Sequence, residues 1–281
     1  MAEKPFDPPN ELADVDTLRA EIAKYEAPKS ERIFEKFLVA AMGCIPWVGG
    51  FLAAAAKLGS EEAQQERDDL RTKWLLEHQR KLKELYATLV EITERFRSFG
   101  ADIEDRIQSA EYLSLVRQAF RTWDKSETEE KRRLISNLIT NSAGTRICSD
   151  DVVRLFADWL ELYHEAHFAV MRQVHENPGT TRYDIWTEIY GEIPREDSSE
   201  ADLYKLLIRD LSMGGVIRIE RDTNALGQFK RKRQPRRRAT PPDTLESAFE
   251  DTKPYVLTEL GKQFIHYTMN EAVGRIEEPK I

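Results

Sequence analysis

Apolar and charged positions are spread unevenly along this 281-residue chain. Phe37 to Ala56 (FLVAAMGCIPWVGGFLAAAA) holds twenty consecutive uncharged residues, although 33% of the chain is charged. About 20 apolar residues are enough to cross a bilayer as one helix. The centre of the run opposes that. Pro46 lacks an amide proton and clashes with the preceding turn, and Gly49-Gly50 adds backbone freedom. The pattern predicts two apolar helical arms joined at Ile45-Pro46-Trp47-Val48-Gly49-Gly50. Such a hairpin either fills a core or waits as a membrane-inserting element. In the second case Phe37, Ile45, Pro46, Trp47, Val48 and Phe51 are the residues that enter the bilayer, and Lys36 and Lys57 bracket them like interfacial anchors. The core reading is the favoured one.

Residues 1–29 read as a flexible acidic arm with a short helix, Asp16–Glu26. Ser30 caps the helix that leads into the hairpin. Ser60 caps a helix predicted to run unbroken over residues 61–99, with Gly100 as its C-terminal stop. Leu75, Leu82, Leu89 and Phe96 fill one heptad position of it, and His78, Leu85, Ile92 and Phe99 the other. A seam of this kind needs an apolar partner helix. The favoured partner lies in the same chain. The other reading is a homodimer with Leu75, Leu82, Leu85, Leu89, Ile92 and Phe96 at its seam. Next come a helix near Ile103–Trp123, a Ser126/Glu129 capping box opening the helix Glu127–Thr140, and a loop Asn141–Ser149. A wide apolar helix follows from Asp150, with Val152, Phe156, Trp159, Tyr163, Val170 and Val174 on one stripe.

Beyond His175 the pattern shortens. Asn177-Pro178-Gly179 ends a helix, Thr181 and Asp184 cap YDIWTEIYG, and Ser199 and Asp202 cap ADLYKLLIRDLSMGG. A strand-like run, Val216–Glu220, a turn-rich segment and a second strand-like run, Tyr255–Thr258, lead into a helix Glu259–Val273. The order helix, helix, helix, strand, wing, strand resembles the winged helix-turn-helix family over residues 165–270. The carrying residues are G-G-V-I-R-I and Tyr255 to Phe264 (YVLTELGKQF). The resemblance implies that Leu257 and Thr258 close a β-hairpin and that Gly261 starts the last helix. A second resemblance concerns residues 130–175. There K-R-R-L-I-S-N-L-I-T-N-S-A and D-D-V-V-R-L-F-A-D-W-L-E are similar to bacterial helical proteins called abortive infection alpha, which implies phage resistance. The expected fold is mainly α. A helical bundle with the apolar hairpin 37–56 and the long helix 61–99 occupies residues 30–148. A winged-helix domain with a small β-hairpin follows over 149–275, with its wing at 222–254 and a tail at 276–281.

Charge sharpens the picture in the wing. Lys230, Arg231, Lys232, Arg233, Arg236, Arg237 and Arg238 make seven basic residues in nine, in a chain of net charge −8. Basic residues there would neutralise phosphates and release counterions. Lys205 and Arg209 are the basic residues of the third winged-helix helix, but Glu196, Asp197, Glu200 and Asp202 crowd its N-terminal end, where carboxylates repel phosphates. His164 and His167 lie three apart, not at the four-residue spacing of a zinc-protease helix, and read as partly buried histidines, so no metal is expected. No phosphate-cradling glycine loop or nucleophile motif is present. Cys44 and Cys148 sit in unrelated contexts and suggest no disulfide framework, and the N-terminus lacks the basic start and apolar centre of a secretory signal. The expectation is a cytoplasmic, non-enzymatic, cofactor-free protein associated with nucleic acid, in bacterial regulation or phage defence. The alternative is a membrane-perturbing helical effector whose winged helix is a sensor or protein-docking module.

Overall fold

A computed structural model describes residues 32–51, 69–221, 224, 226, 228–230 and 247–270. The expectations for the N-terminal arm, Ser30, the second hairpin arm at 52–56, Ser60, residues 61–68, Arg231–Arg238 and the tail fall outside the described residues, as does the side chain of Leu75. Among the described residues the protein is mainly helical, with one two-stranded antiparallel sheet. It divides into two compact units, one reaching to Ala157 and the other starting at Asp158.

The first unit contains α1 (Arg32–Gly43), a helical segment at residues 46–51, α2 (Asp69–Phe99), α3 (Glu104–Gln108), α4 (Ala110–Lys125), α5 (Glu129–Gly144) and the first part of α6 (Asp150–Leu162). The joint of the apolar hairpin is shorter than expected. Only Cys44 and Ile45 leave the helical conformation. Pro46 is the first residue of the segment 46–51, where its missing amide proton costs nothing. Gly49 and Gly50 therefore lie inside a helical segment, not in a turn. Phe37, Ile45, Val48 and Phe51 are buried. The Phe37 ring meets Phe96 edge-on at 5.1 Å and Phe120 at 6.2 Å. Trp47 donates from Nε1 to Asp124 at 2.6 Å and lies edge-on to His78 at 5.1 Å. Pro46 is exposed. No helix among the described residues is long and apolar enough to cross a membrane.

The heptad seam of α2 is spent inside the chain. Leu82, Leu85, Leu89, Ile92 and Phe96 are at most 4% exposed in a single copy. They pack where α2 lies on α5 and on the hairpin. Residues 134–143 of α5 are buried without interruption, so this helix is central although half of its positions there are polar. Two of its hydroxyls turn back onto the backbone, Thr140 donating to the Ser136 carbonyl and Ser142 to that of Ile139, while the buried Ser136 hydroxyl has no partner. Asn137 accepts from Arg95 of α2 at 2.7 Å. Arg132 pairs with Glu84 of α2 and lies 4.8 Å from the Trp123 ring. Arg106 is buried, makes two hydrogen bonds to Asp150 and crosses the Tyr112 ring at 5.0 Å. These bonds hold the Asp150 carboxyl below its ordinary pKa.

Several helix ends differ from the expected ones, each for a local reason. The helix foreseen near Ile103–Trp123 is two helices, because Ser109 takes an extended backbone and its Oγ accepts from the Tyr112 amide. Thr128, not Ser126, caps α5; Ser126 is buried and donates to Thr122 of the preceding helix. α5 runs on to Gly144, which lies against the Phe99 ring. The stripe from Val152 to Val174 spans two helices, broken at Tyr163-His164, where the His164 amide donates to Nδ1 of His167. Ser198, not Ser199, caps the third helix of the second unit.

The second unit carries the rest of α6, then α7 (Glu165–Glu176), α8 (Arg182–Tyr190), α9 (Ser199–Met213), β1 (Ile217–Ile219), β2 (Tyr255–Leu257) and α10 (Glu259–Thr268). The strands pair Ile217 with Leu257, Arg218 with Val256 and Ile219 with Tyr255. Thr180, between α7 and α8, bridges to Tyr255 on the other edge of β2. Phe168, Ile185, Tyr204, Ile208, Leu211 and Phe264 form much of the core beneath.

Because the α2 seam is intramolecular, Leu82→Asp combined with Leu89→Asp buries two carboxylates that have no partner, each costing several kcal/mol (order of magnitude). The expected outcome is loss of the cooperative thermal transition in circular dichroism. A folded protein of halved mass in sedimentation would contradict this packing. The milder Leu85→Ala should cost about 2–5 kcal/mol in urea unfolding.

Candidate nucleic-acid interface

The root of the wing is set by one junction. Thr258 donates from Oγ1 to the Gly215 carbonyl at 2.6 Å and from its amide to Val216 at 2.9 Å. The same Oγ1 accepts from the Gly261 amide at 2.9 Å and so caps α10. A Cβ at Gly261 would fall on the Val216 carbonyl oxygen, so only glycine fits there. Beyond β1 the chain reverses between Asn224 and Gln228. Asn224 donates its amide to the Gln228 carbonyl at 2.9 Å, and its Oδ1 accepts from Leu226 and Gln228 at 3.0 and 2.9 Å. An Asn side chain commonly stabilises turns in this way.

This reversal sets Phe229 against two arginines. The Arg218 guanidinium lies 4.8 Å and that of Arg221 5.8 Å from the ring centroid, yet Phe229 is still 51% exposed. Lys230, also exposed, follows directly and opens the basic tract. Sequence reading found Lys230 but missed Arg218, Arg221 and Phe229. The usable signal was an aromatic residue immediately before the tract.

The other end of the wing is tied down. Glu196, before α9, accepts from the Ala248 amide at 3.2 and 3.0 Å and from the Ser247 hydroxyl. Partial burial pushes the Glu196 carboxyl up, but these donors and Lys205 outweigh it and hold its pKa below the usual value. Phe249 stacks on Tyr204 at 5.8 Å and meets Trp186 edge-on at 5.2 Å.

The face of α9 differs from a cationic reading surface. Lys205 lies 3.5 Å from Glu196, and Arg209 lies 3.7 Å from Asp210. Asp197 is paired with Arg195 through two bonds of 2.9 and 2.8 Å. The exposed side of the helix also carries apolar residues, with Leu203 52%, Leu206 40% and Met213 80% exposed, beside exposed Asp202 and Arg209. Of the nucleic-acid candidates named from sequence, Lys230 stands at the wing root, and Lys205 and Arg209 stand beside carboxylates of their own chain.

The histidine pair is structural in its setting. The His167 ring is buried and lies 5.0 Å from that of Tyr163. Its Nδ1 accepts from a backbone amide, so the proton sits on Nε2. Nε2 has no hydrogen-bond partner and lies 3.9 Å from Asp210. No group of three His, Cys, Asp or Glu side chains among the described residues could hold a metal ion.

Burial lowers the pKa of His167 below 6.5 and outweighs the pull of Asp210; burial also lowers that of His266. Below pH 6.5 the unfolded chain therefore binds protons that the folded chain refuses. Stability should fall as pH drops from 6.5, by at most about 1.4 kcal/mol per pH unit for each group. Urea midpoints read at falling pH should show the loss, and His167→Gln should flatten it. An unchanged slope in that variant would remove His167 as a cause. No family model, curated protein or solved structure matches this chain.

Proposed function

We propose that the second unit is a winged helix that binds nucleic acid through its wing, and that the protein is a non-enzymatic regulatory or phage-defence factor. The observation that carries this reading is the cluster of half-buried Arg218 with exposed Phe229 and Arg221, continued in sequence by Lys230–Arg238. Two further features support it. Thr180, β2 and β1 lie side by side in that order, as the three strands of a winged helix do. α9 occupies the chain position of the third helix, but its cations face carboxylates, so the proposal leaves Lys205 and Arg209 out of the contact. Phosphate neutralisation by the tract supplies affinity that no base edge needs to direct. The setting in regulation or phage defence rests on the resemblance of residues 130–175 to abortive infection alpha proteins. The membrane-perturbing alternative gains no matching observation, since Phe37, Ile45, Val48 and Phe51 are core residues of the first unit.

Replacing Lys230, Arg231, Lys232, Arg233, Arg236, Arg237 and Arg238 with Ser should abolish most binding to labelled DNA in gel shifts while the circular dichroism spectrum is unchanged. Wild-type affinity should fall steeply with salt, each duplex phosphate contact contributing about 0.9 to the logarithmic slope. Lys205→Ala with Arg209→Ala should bind as the wild type does. Unchanged binding by the seven-residue variant would end the proposal.

A further inference from the structure

The wing root carries more than charge. Cations alone satisfy phosphates, and a tract that only tracks a duplex backbone has no use for an aromatic ring held in the open. Phe229 is such a ring. It is half exposed, it leads straight into the tract at Lys230, and it is held in place from two directions. The Asn224–Gln228 turn fixes its backbone, and the guanidiniums of Arg218 and Arg221 lie within 6 Å of its centroid. Arg218 in turn is fixed by its strand, opposite Val256. Stacking on an aromatic ring orders a guanidinium while leaving its N–H groups free at the edge for phosphate oxygens.

A half-exposed aromatic ring beside ordered arginines is the chemistry that holds unpaired bases. A base stacks on the ring or on a guanidinium plane, and the cations take the adjoining phosphates. In a duplex the base faces are already occupied by their neighbours. The remaining route to duplex specificity, base edges read from the major groove, needs donors and acceptors on α9. That helix presents Leu203, Leu206 and Met213 there, with the exposed carboxylates Glu200 and Asp202 at its first turn, which repel phosphates, and its two cations beside Glu196 and Asp210. Resting on the proposal that the wing binds nucleic acid, we infer that its ligand is single-stranded and that Phe229, with Arg218 and Arg221, is a stacking site for one unpaired base.

The test is fluorescence anisotropy of the full chain with a labelled oligothymidylate and with a labelled duplex of equal length. Wild-type protein should hold the single strand more tightly. Phe229→Leu keeps apolar bulk but removes the π face, at a half-exposed position where folding tolerates it. It should weaken single-strand binding by about fivefold to a hundredfold, the range for losing one stacked base, and leave duplex binding unchanged. Phe229→Trp should retain the single-strand affinity. The salt slope should be unaltered in Phe229→Leu, because no charge is lost, and shallower in Arg218→Gln. Three results would overturn the inference and leave the wing proposal standing: a duplex held as tightly as the single strand, no effect of Phe229→Leu, or an equal loss on both ligands. If wild type binds neither probe better than the seven-serine variant, the wing proposal falls and this inference with it.

Discussion

The wing depends on the carbonyl of Val216. It accepts from the Thr258 amide, and it occupies the space that a side chain on residue 261 would need. Gly261 lets the first turn of α10 close onto the start of β1, and Thr258 ties both to Gly215. A two-stranded hairpin is at best marginal by itself in water. Here the strands are only three residues long, but Ile217, Tyr255 and Leu257 are buried and the junction fixes their register. The stability of the wing root thus comes from the core side of the sheet.

Three of the acidic residues around α9 have partners in their own chain, while Glu200 and Asp202 stand exposed at its first turn. Glu196 holds the returning end of the wing, Asp197 pairs with Arg195, and Asp210 stands near Arg209 and His167. Such partly exposed pairs contribute about 0–1 kcal/mol each, so their structural value is positional rather than energetic. Glu196 is the clearest case. It brings Ser247 and Ala248 to the start of α9, and Phe249 then docks on Tyr204 and Trp186. The wing is therefore anchored at both ends, at Phe229 by turn and arginines and at Phe249 by aromatic packing.

Much of this fold was legible because strong periodicity and side-chain caps leave marks in the sequence. The heptad of α2 from Leu82 to Phe96 and the Thr181/Asp184 capping box stand where the residues indicated, and Thr258 closes the hairpin as the resemblance implied, although the last helix starts at Glu259, two residues before Gly261. α5 was harder. Its buried run S-N-L-I-T-N-S-A is polar by composition, and it is central because Thr140 and Ser142 bond backbone carbonyls and Asn137 bonds Arg95, although the Ser136 hydroxyl is left without a partner. The break at His164 was hidden because its cause is a hydrogen bond to the His167 ring, and the apolar stripe continues across it. The capping error at Ser126 had the same origin, since two hydroxyl residues competed and tertiary burial chose between them. The site was half legible. A run of basic residues announces itself, but the meeting of Arg218 with Phe229 needs the strand register and the turn at Asn224, which composition does not encode.

The apolar hairpin poses a question of magnitude more than of pattern. Burying one large apolar side chain stabilises a fold by about 1.5–3 kcal/mol. Phe37, Ile45, Val48 and Phe51 are all buried, and together they contribute on the order of 6–12 kcal/mol by that measure. A whole domain has a net stability of only about 5–15 kcal/mol. Release would also take the Phe37 ring away from Phe96 and Phe120 and break the Trp47–Asp124 bond. Phe96 belongs at once to the hairpin contact and to the α2 seam, so a trigger that presents Phe37–Phe51 to a bilayer must also supply the cost of uncovering that seam.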